Sequence, residues 1–261
     1  MVDTLVSVII RSNNPARLAH LDRALFSLKV QFHKRIQIVV CLQTLSVGHV
    51  NGVVKALRAN GFISTALPID QLASDYSFSG GHKITIIADT SFDGRARLLN
   101  LGLERSEGTH ILILDDDDVI YHHHLSLLLE TSRTGDYAIV AGGCRKAIIE
   151  PKAGEFYVKS KTSFVPPDFI ANKVTLINDN FLPIHSYLIC KAVIDPGDLY
   201  YSEDMCFLED YEFLLRLCTK YRMSFRDMSA SVCEYRMRLD GSNSIEFGSN
   251  IEQKKLEWDE A

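Results

Sequence analysis

The sequence lacks the features that mark several large classes of protein. Its 261 residues include six cysteines but no Cys-x-x-Cys pair, which argues against zinc-ribbon and thioredoxin-like sites. No stretch approaches the roughly 18 apolar residues of a membrane-spanning helix, and the first residues lack the basic segment of a signal peptide. Neither a Gly-x-x-x-x-Gly-Lys phosphate loop nor a Gly-x-Ser-x-Gly turn occurs, so P-loop and serine-hydrolase chemistries have no support.

An excess of positive charge is also missing. The chain has 28 Lys and Arg residues against 33 Asp and Glu residues, which gives a net charge of −5. Sequence-independent binding of nucleic acid requires a basic face, so we expect no nucleic-acid partner. Hydrophobic residues make up 46% of the chain and charged residues 23%, as in ordinary globular proteins. We expect the cysteines to be buried, reduced thiols of a cytoplasmic protein.

Apolar runs and helical patterns alternate through the first half of the chain. They predict strands at residues 5–10, 36–42, 83–88 and 110–114, and helices at 15–28, 47–59, 94–106 and 122–133. Strands that alternate with helices form βαβ units around a parallel sheet, and uninterrupted apolar strands fit a sheet covered on both faces. We therefore expect an α/β fold with ligands bound outside the carboxyl ends of its strands.

The second half of the chain is less regular. Strands are predicted at 137–144 and 146–149, separated at Gly142-Gly143, and an amphipathic helix is predicted at 209–221. No internal repeat or low-complexity linker divides the sequence. We expect one continuous domain over residues 1–245 and a charged C-terminal tail at 246–261.

Four adjacent carboxylates, Asp115-Asp116-Asp117-Asp118, follow the predicted strand at 110–114. In extended backbone, residues i and i+2 point the same way, so Asp115 and Asp117 are expected on one face. Like charges at this separation require a cation or a raised pKa, and a magnesium or manganese ion is the natural counter-charge. A solvated acidic turn is the alternative. The position at the carboxyl end of a strand favours the ion site.

Two further charged groups lie at predicted helix starts. Glu209-Asp210 opens the late helix, where one carboxylate could act as a general base, although the helix dipole alone accounts for acids there. Arg95 follows Gly94 and could meet a phosphate. The run His122-His123-His124 is not expected to chelate one ion, because consecutive residues on a helix diverge by about 100°.

Taken together, these segments resemble glycosyltransferase family 2, which has the GT-A fold of nucleotide-diphospho-sugar transferases. In chain order, the resemblance is carried by Val6-Ser7-Val8-Ile9-Ile10 with Ser12 and Asn14, Gly94-Arg95-Ala96 with Asn100 and Gly102, Leu114-Asp115-Asp116-Asp117-Asp118, Glu209-Asp210 with the helix after it, and Tyr235-Arg236 with Gly241-Ser242. Each match is short, but their order spans nearly the whole chain. The implied fold is a Rossmann-like, mostly parallel central sheet flanked by helices, with a mixed second half on the acceptor side.

The resemblance also implies a reaction, a cofactor and partners. The reaction is inverting transfer of a sugar from a nucleotide-diphosphate donor to a hydroxyl of a glycan or lipid-linked acceptor. A manganese or magnesium ion would be held by Asp117 with Asp115, and Asp210 would be the catalytic base with Glu209 beside it. The other implied positions are those of the nucleotide-sugar pocket, Ser12, Asn14, Gln43, Arg95, Asp115 and Asp116, and those of the acceptor side, His185 and Arg236.

The sequence departs from the family pattern at three points. In the family, acids that contact the nucleotide base often follow the second strand. This chain has Val40-Cys41-Leu42-Gln43-Thr44 there, so Gln43 is the residue expected to contact the base, and the identity of the nucleotide is not determined. The first turn begins with Arg11 instead of proline. No histidine follows His185, so the ion has fewer protein ligands than in many GT-A enzymes.

Two alternatives stay open at this point. A catalytically weak GT-A domain that acts as a binding or assembly module agrees with the missing acids and histidine. A sugar-1-phosphate nucleotidyltransferase is less favoured, because such enzymes carry a glycine-rich loop after the first strand and Ile10-Arg11-Ser12-Asn13-Asn14 has no glycine. For a transferase without a membrane span, we expect a cytoplasmic location or peripheral attachment at the inner face of the membrane.

Overall fold

The computed structural model describes residues 4–43, 46–63, 75–77, 83–88, 94–152, 155–205 and 207–239. The strands in these ranges are β1 (Val6–Ser12), β2 (Ile36–Leu42), β3 (Asp75–Ser77), β4 (Lys83–Ala88), β5 (His110–Asp115), β6 (Val119–Ile120), β7 (Ile139–Lys152), β8 (Glu155–Ser163), β9 (Tyr187–Cys190) and β10 (Met223–Arg238). The helices are α1 (Leu18–Lys29), α2 (Val47–Ala59), α3 (Arg95–Glu104), α4 (His124–Ser132), α5 (Lys173–Asn178) and α6 (Glu209–Lys220). None of these helices is long and apolar enough to cross a membrane. The predicted tail at 246–261 lies outside the described residues.

The ten strands form one mixed sheet. Its order is β3-β4-β2-β1-β5-β9-β7-β10-β6, and β8 pairs with β7 beside this path. Strands β4, β2, β1 and β5 are parallel, whereas β9 is antiparallel to both β5 and β7. Because β1 and β5 are parallel neighbours, Arg11 near the end of β1 pairs in register with Asp115 at the end of β5. The acidic run therefore leaves the sheet beside the turn that follows β1.

Side chains of the central strands alternate between two hydrophobic layers. Val8 and Ile10 pack in the layer that contains α1 and α2, and Ile9 packs in the layer that contains α3 and α6. Every residue of β2 is buried. The sheet is thus covered on both faces, as its uninterrupted apolar strands predict.

Close packing of α3 on the sheet depends on Gly102. A β-carbon at this position would lie 2.5 Å from Cγ2 of Ile9 and 3.2 Å from Sγ of Cys41. Protein interiors do not tolerate contacts this short, so α3 can approach β1 and β2 only because residue 102 has no side chain. This packing sets the position of Arg95, the first residue of α3, relative to the carboxyl ends of β1 and β5.

The sequence predicts the first half well and the second half less well. The four predicted strands of the first half are all observed, with ends that differ by at most two residues. The prediction of two strands at 137–144 and 146–149 was wrong, because β7 continues through Gly142 and Gly143. A β-carbon at Gly143 would lie 2.3 Å from the carbonyl oxygen of Met228, so this glycine permits close approach of β10 instead of breaking the strand. The pattern did not predict α5, β9 or β10.

Candidate active site

The four aspartates form a tight turn between β5 and β6. The amide of Asp118 donates to the carbonyl oxygen of Asp115 across 3.2 Å and closes the turn. The expectation that Asp115 and Asp117 share a face of extended backbone was wrong, because the chain bends directly after β5. Asp115, Asp117 and Asp118 nevertheless line one cavity.

Arginines from distant parts of the chain neutralise this turn. Nη2 of Arg11 lies 2.9 Å from Oδ1 of Asp115. Arg238, the last residue of β10, pairs with the carboxylate of Asp117, and Nη1 of Arg17 lies 3.6 Å from Oδ2 of Asp117. Burial alone raises the pKa of Asp115, but the positive charges of Arg11, Arg95 and other nearby groups together outweigh this effect, and the pKa falls below its usual range. Asp115 is therefore ionised at neutral pH.

Asp116, like Asp118, is buried, whereas the side chains of Asp115 and Asp117 are partly exposed. Burial and the negative charge of Asp117 raise the pKa of Asp116 to about 7, against the opposing effect of a hydrogen bond from Ser12. The Ser12 hydroxyl also lies 3.3 Å from Nε2 of His49. Asp116 can therefore carry a proton near neutral pH, unlike Asp115.

Asp118 faces a buried histidine. Its Oδ2 atom lies 3.1 Å from Nδ1 of His185, and its Oδ1 atom accepts a 2.7 Å hydrogen bond from the amide of Arg236. Nε2 of His185 lies 3.1 Å from the carbonyl oxygen of Glu234. Burial alone lowers the pKa of His185, but the Asp118 carboxylate contributes most to raising it to about 9. The fourth aspartate is thus bound to β10 and to the short helical turn at Ile184–Ser186.

The first turn of α6 brings two more carboxylates to this region. Leu208, just before the helix, has a φ of 61°, a left-handed conformation that is unusual for leucine and indicates local strain. Oε1 of the buried Glu209 lies 2.8 Å from Nε of Arg95. Oδ1 of Asp210 accepts a 2.9 Å hydrogen bond from the amide of Tyr211. Burial raises the pKa of Asp210, although Arg95 opposes this effect, and a raised pKa suits a group that accepts a proton near neutral pH.

These groups surround a cavity of about 460 Å³. Its charged and histidine lining residues are Arg95, Asp115, Asp117, Asp118, Asp179, His185, Asp210, Arg236 and Arg238. Its aromatic lining residues are Phe164, Phe207, Tyr211 and Tyr235. A cavity of this size that combines carboxylates, guanidinium groups and aromatic faces suits a polar ligand that carries charged groups.

The sequence pattern of glycosyl transferase family 2 matches residues 64–195, just over half of the chain. The chain belongs to glycosyltransferase family 2. No curated protein matches the chain. The matched residues include the aspartate turn and His185, whereas β1 and the first turn of α6 lie outside them.

Solved structures show that the chain has the GT-A fold. S. aureus TarS 1–349 superposes with a TM-score of 0.61 at 16% identity, covering 89% of this chain and 60% of the TarS chain. The same TarS fragment in complex with UDP-GlcNAc gives a TM-score of 0.60 at 17% identity over 90% and 59% of the two chains. A mannosyltransferase from Pyrobaculum calidifontis, in complex with GDP-Man and Mn²⁺, superposes with a TM-score of 0.57 at 13% identity, covering 89% of this chain and 56% of the mannosyltransferase chain. The chain thus spans about three fifths of the length of these structures.

The fold brings most of the predicted site residues to the cavity. Arg95, Asp115, Asp117, Asp210, His185 and Arg236 all line it. Glu209 does not line it and lies against Arg95 instead. The predicted nucleotide residues Ser12, Asn14, Gln43 and Asp116 also lie outside the lining.

Each of these four has a different environment. Ser12 and Asp116 are buried, and Gln43 directly follows β2 with its side chain partly buried. Asn14 is exposed, and its Oδ1 accepts a 2.9 Å hydrogen bond from the amide of Ala16, which caps the turn before α1. Their roles in binding a nucleotide stay predictions.

The sequence did not identify Arg17 and Arg238 as residues of the site. Both lie close to Asp117, yet neither belongs to a recognisable motif, and Arg238 is 121 residues from its partner. The one signal in the sequence that could have indicated such arginines is the excess of negative charge in the acidic run itself. Four adjacent carboxylates that leave a buried strand require cations from elsewhere in the chain.

Proposed function

We propose that this protein is an inverting glycosyltransferase that moves a sugar from a nucleotide-diphosphate donor to a hydroxyl of a glycan or lipid-linked acceptor. One observation carries the proposal. The carboxylates of Asp117 and Asp210, which come from the aspartate turn and from α6, line the same cavity together with Arg95. This arrangement supports the proposal, which needs an acidic group for a metal–diphosphate unit and a carboxylate base around one cavity.

The residues of the aspartate turn fit a divalent cation. Asp115 and Asp117 offer only carboxylate oxygens, which are the ligands that magnesium and manganese prefer. Both line the cavity, and both already attract guanidinium groups, so this wall favours positive charge. We assign Asp117 as the main metal ligand and Asp115 as its neighbour. The ion, when bound, would supply positive charge to the departing diphosphate.

Asp210 is assigned as the catalytic base. Its carboxylate takes the proton from the acceptor hydroxyl as that oxygen forms a bond to the anomeric carbon, and the bond from this carbon to the diphosphate oxygen breaks. Attack from the side opposite the leaving group inverts the configuration. Nε of Arg95 lies 2.8 Å from Oε1 of Glu209. The positive charge of Arg95 also lowers the pKa of Asp210, although burial has the larger effect and raises it. Glu209 is assigned to orient the site through this contact.

The other predicted roles are part of the same proposal. Ser12, Asn14, Gln43, Arg95, Asp115 and Asp116 are assigned to the donor side, and His185 and Arg236 to the acceptor side. We also propose that residues 1–245 form a single domain. In support, strands from β1 to β10 belong to one sheet that reaches from Val6 to Arg238.

A donor screen tests the function. The full chain is incubated with Mn²⁺ and a panel of UDP-, GDP- and dTDP-sugars, and protection against thermal unfolding is measured first. A donor that binds the folded state at 100 times its dissociation constant stabilises it by about 2.7 kcal/mol. Protecting donors are then tested for hydrolysis and for transfer to glycan and lipid-linked acceptors. The proposal requires a donor that binds and is turned over with inversion. Folded protein that neither binds nor cleaves any donor would refute it.

A further inference from the structure

A second group of potential metal ligands lies next to the aspartate turn. Cys144 of β7, Cys233 of β10 and His185 have ligand atoms that all lie within 4.8 Å of one another. All three residues are buried, and neither cysteine forms a disulfide. Cys144 and Cys233 are register partners on adjacent parallel strands, so the backbone itself brings the two sulfur atoms together. Only His185 of these three lines the cavity, so the group forms a site of its own.

The ring orientation of His185 suits a metal ligand. Its Nε2 atom lies 3.1 Å from the carbonyl oxygen of Glu234, which can only accept, so Nε2 must carry a hydrogen. Its Nδ1 atom is buried, has no hydrogen bond of good geometry to the described residues and faces Oδ2 of Asp118 at 3.1 Å. Histidines that bind metals commonly donate their other ring nitrogen to a backbone carbonyl in this manner. Nδ1 can bind a cation once the proton that faces the Asp118 carboxylate is released to solvent.

We propose that Cys144, Cys233 and His185 bind a zinc ion, with Asp118 as the fourth ligand. Tetrahedral zinc, with bonds of about 2.3 Å to sulfur and about 2.0–2.1 Å to nitrogen or oxygen, places neighbouring ligand atoms about 3.3–3.8 Å apart. The ligand atoms of Cys144, Cys233 and His185 lie within 4.8 Å of one another, so they need to close in by about 1 Å to bind the ion. Oδ2 of Asp118 lies 3.1 Å from Nδ1 but is not within 4.8 Å of all three ligand atoms, so this carboxylate has to move farther to become the fourth ligand. Each thiol releases its proton to solvent as its sulfur binds the ion.

Ligand chemistry separates this site from the proposed catalytic ion. Thiolate and imidazole ligands select zinc, whereas the oxygen atoms of Asp115 and Asp117 select magnesium or manganese. The zinc ion would join β7, β10 and the turn at Ile184–Ser186 directly behind the aspartate turn. It would be a structural ion that holds Asp118 in place.

Metal analysis of the full chain tests the proposal. Protein purified under reducing conditions without chelator is expected to contain about one zinc per chain. Protein stripped of metal and titrated with Co²⁺ is expected to show thiolate-to-cobalt charge-transfer absorption and the ligand-field bands of a tetrahedral site. The cobalt measurement uses the unmodified protein, so it does not depend on the folding of any variant. Absence of both zinc and the charge-transfer band in folded protein would overturn the proposal.

Matched variants assign the ligands. Cys144→Ser and Cys233→Ser should each weaken zinc binding at least about 10–100-fold, by analogy with losses at other metal sites. Cys218→Ser, which changes another buried free cysteine on α6, should bind zinc as the wild type does. Asp117→Ala should also retain zinc, because it removes a ligand of the proposed catalytic ion only. Unchanged zinc affinity in both ligand variants, or a Cys144–Cys233 disulfide found by mass spectrometry, would refute the assignment.

Discussion

Replacement of Asp210 by asparagine is the sharpest test of the proposed mechanism. Asparagine has nearly the same volume, and its Oδ1 can still accept the hydrogen bond from the amide of Tyr211, which is 2.9 Å long in the wild type. The variant loses a negative charge in the first turn of α6, worth about 0.3–1 kcal/mol of stability through the helix dipole. Burial of Asp210 offsets part of this loss, because it disfavours the charged form. We therefore expect Asp210→Asn to fold normally.

The expected loss of activity is much larger. An amide cannot accept the proton of the acceptor hydroxyl, and removal of a general base costs about 10²–10⁴-fold in rate. At about 1.36 kcal/mol for each factor of ten, this corresponds to about 3–5 kcal/mol of transition-state stabilisation. A loss of about 3–5 kcal/mol in transition-state stabilisation, against a loss of at most about 1 kcal/mol in folding stability, distinguishes a catalytic from a structural role.

Transfer to acceptor is measured at saturating donor and compared across pH. In the wild type, the rate should fall as Asp210 becomes protonated at low pH, and this fall begins at a higher pH than for an ordinary aspartate because burial raises its pKa. The acidic limb should be absent in Asp210→Asn. Glu212→Gln is the matched control, because Glu212 lies in the same helical turn but pairs with Arg216 at 2.8 Å, outside the cavity. Wild-type kcat in Asp210→Asn, or an equal loss in Glu212→Gln, would refute the assignment.

Three further predictions concern the metal, the pH dependence of stability and the packing of α3. Asp117→Ala should abolish transfer and remove the response to added Mn²⁺ while the thermal unfolding profile stays cooperative; transfer at the wild-type rate would contradict the role of Asp117. Burial lowers the pKa of His124 to about 3 in the fold, so between pH 6.5 and 3 only the unfolded chain takes up this proton, and stability falls with acidification by up to about 1.4 kcal/mol per pH unit. Urea unfolding from pH 7 to pH 5 should show a smaller decrease in His124→Asn than in the wild type, and equal decreases would contradict this reasoning. Gly102→Ala places a β-carbon 2.5 Å from Ile9 and should cost about 1–3 kcal/mol in urea unfolding. Gly48→Ala, whose β-carbon would be 3.7 Å from its nearest neighbour, should not destabilise the protein.

The sequence predicts the parallel half of the sheet because its signals are local. Strands such as β2 are continuous apolar runs, and α2 ends at Asn60-Gly61 as its pattern indicates. These features depend on the hydrophobicity and turn residues of neighbouring positions. The position of the aspartate turn at the carboxyl end of β5 follows from the same local signals.

The second half of the sheet and the ion pairs of the site depend on contacts between distant residues, which no local sequence pattern contains. β10 shifts its register against β7 several times between Ser224 and Cys233, so its polar and apolar residues do not alternate regularly. Strand β9 has only four residues, Tyr187–Cys190, and is fixed by antiparallel pairing with β5 and β7. The pairing of Arg238 with Asp117, and the bend of the chain after Asp115, arise only when these elements are assembled.

The long sequence separation of the ion pairs in the site has a consequence for the order of folding. Arg11 is 104 residues from Asp115, and Arg238 is 121 residues from Asp117. Closing such large loops is slow, because chain entropy is lost before the contact forms. We therefore expect the four aspartates to lack these partners until β1 and β10 have docked, and the turn to become ordered late. A nascent chain that has not yet made β10 would carry this charge without the guanidinium group of Arg238, so we expect the site to mature only after β10 is synthesised.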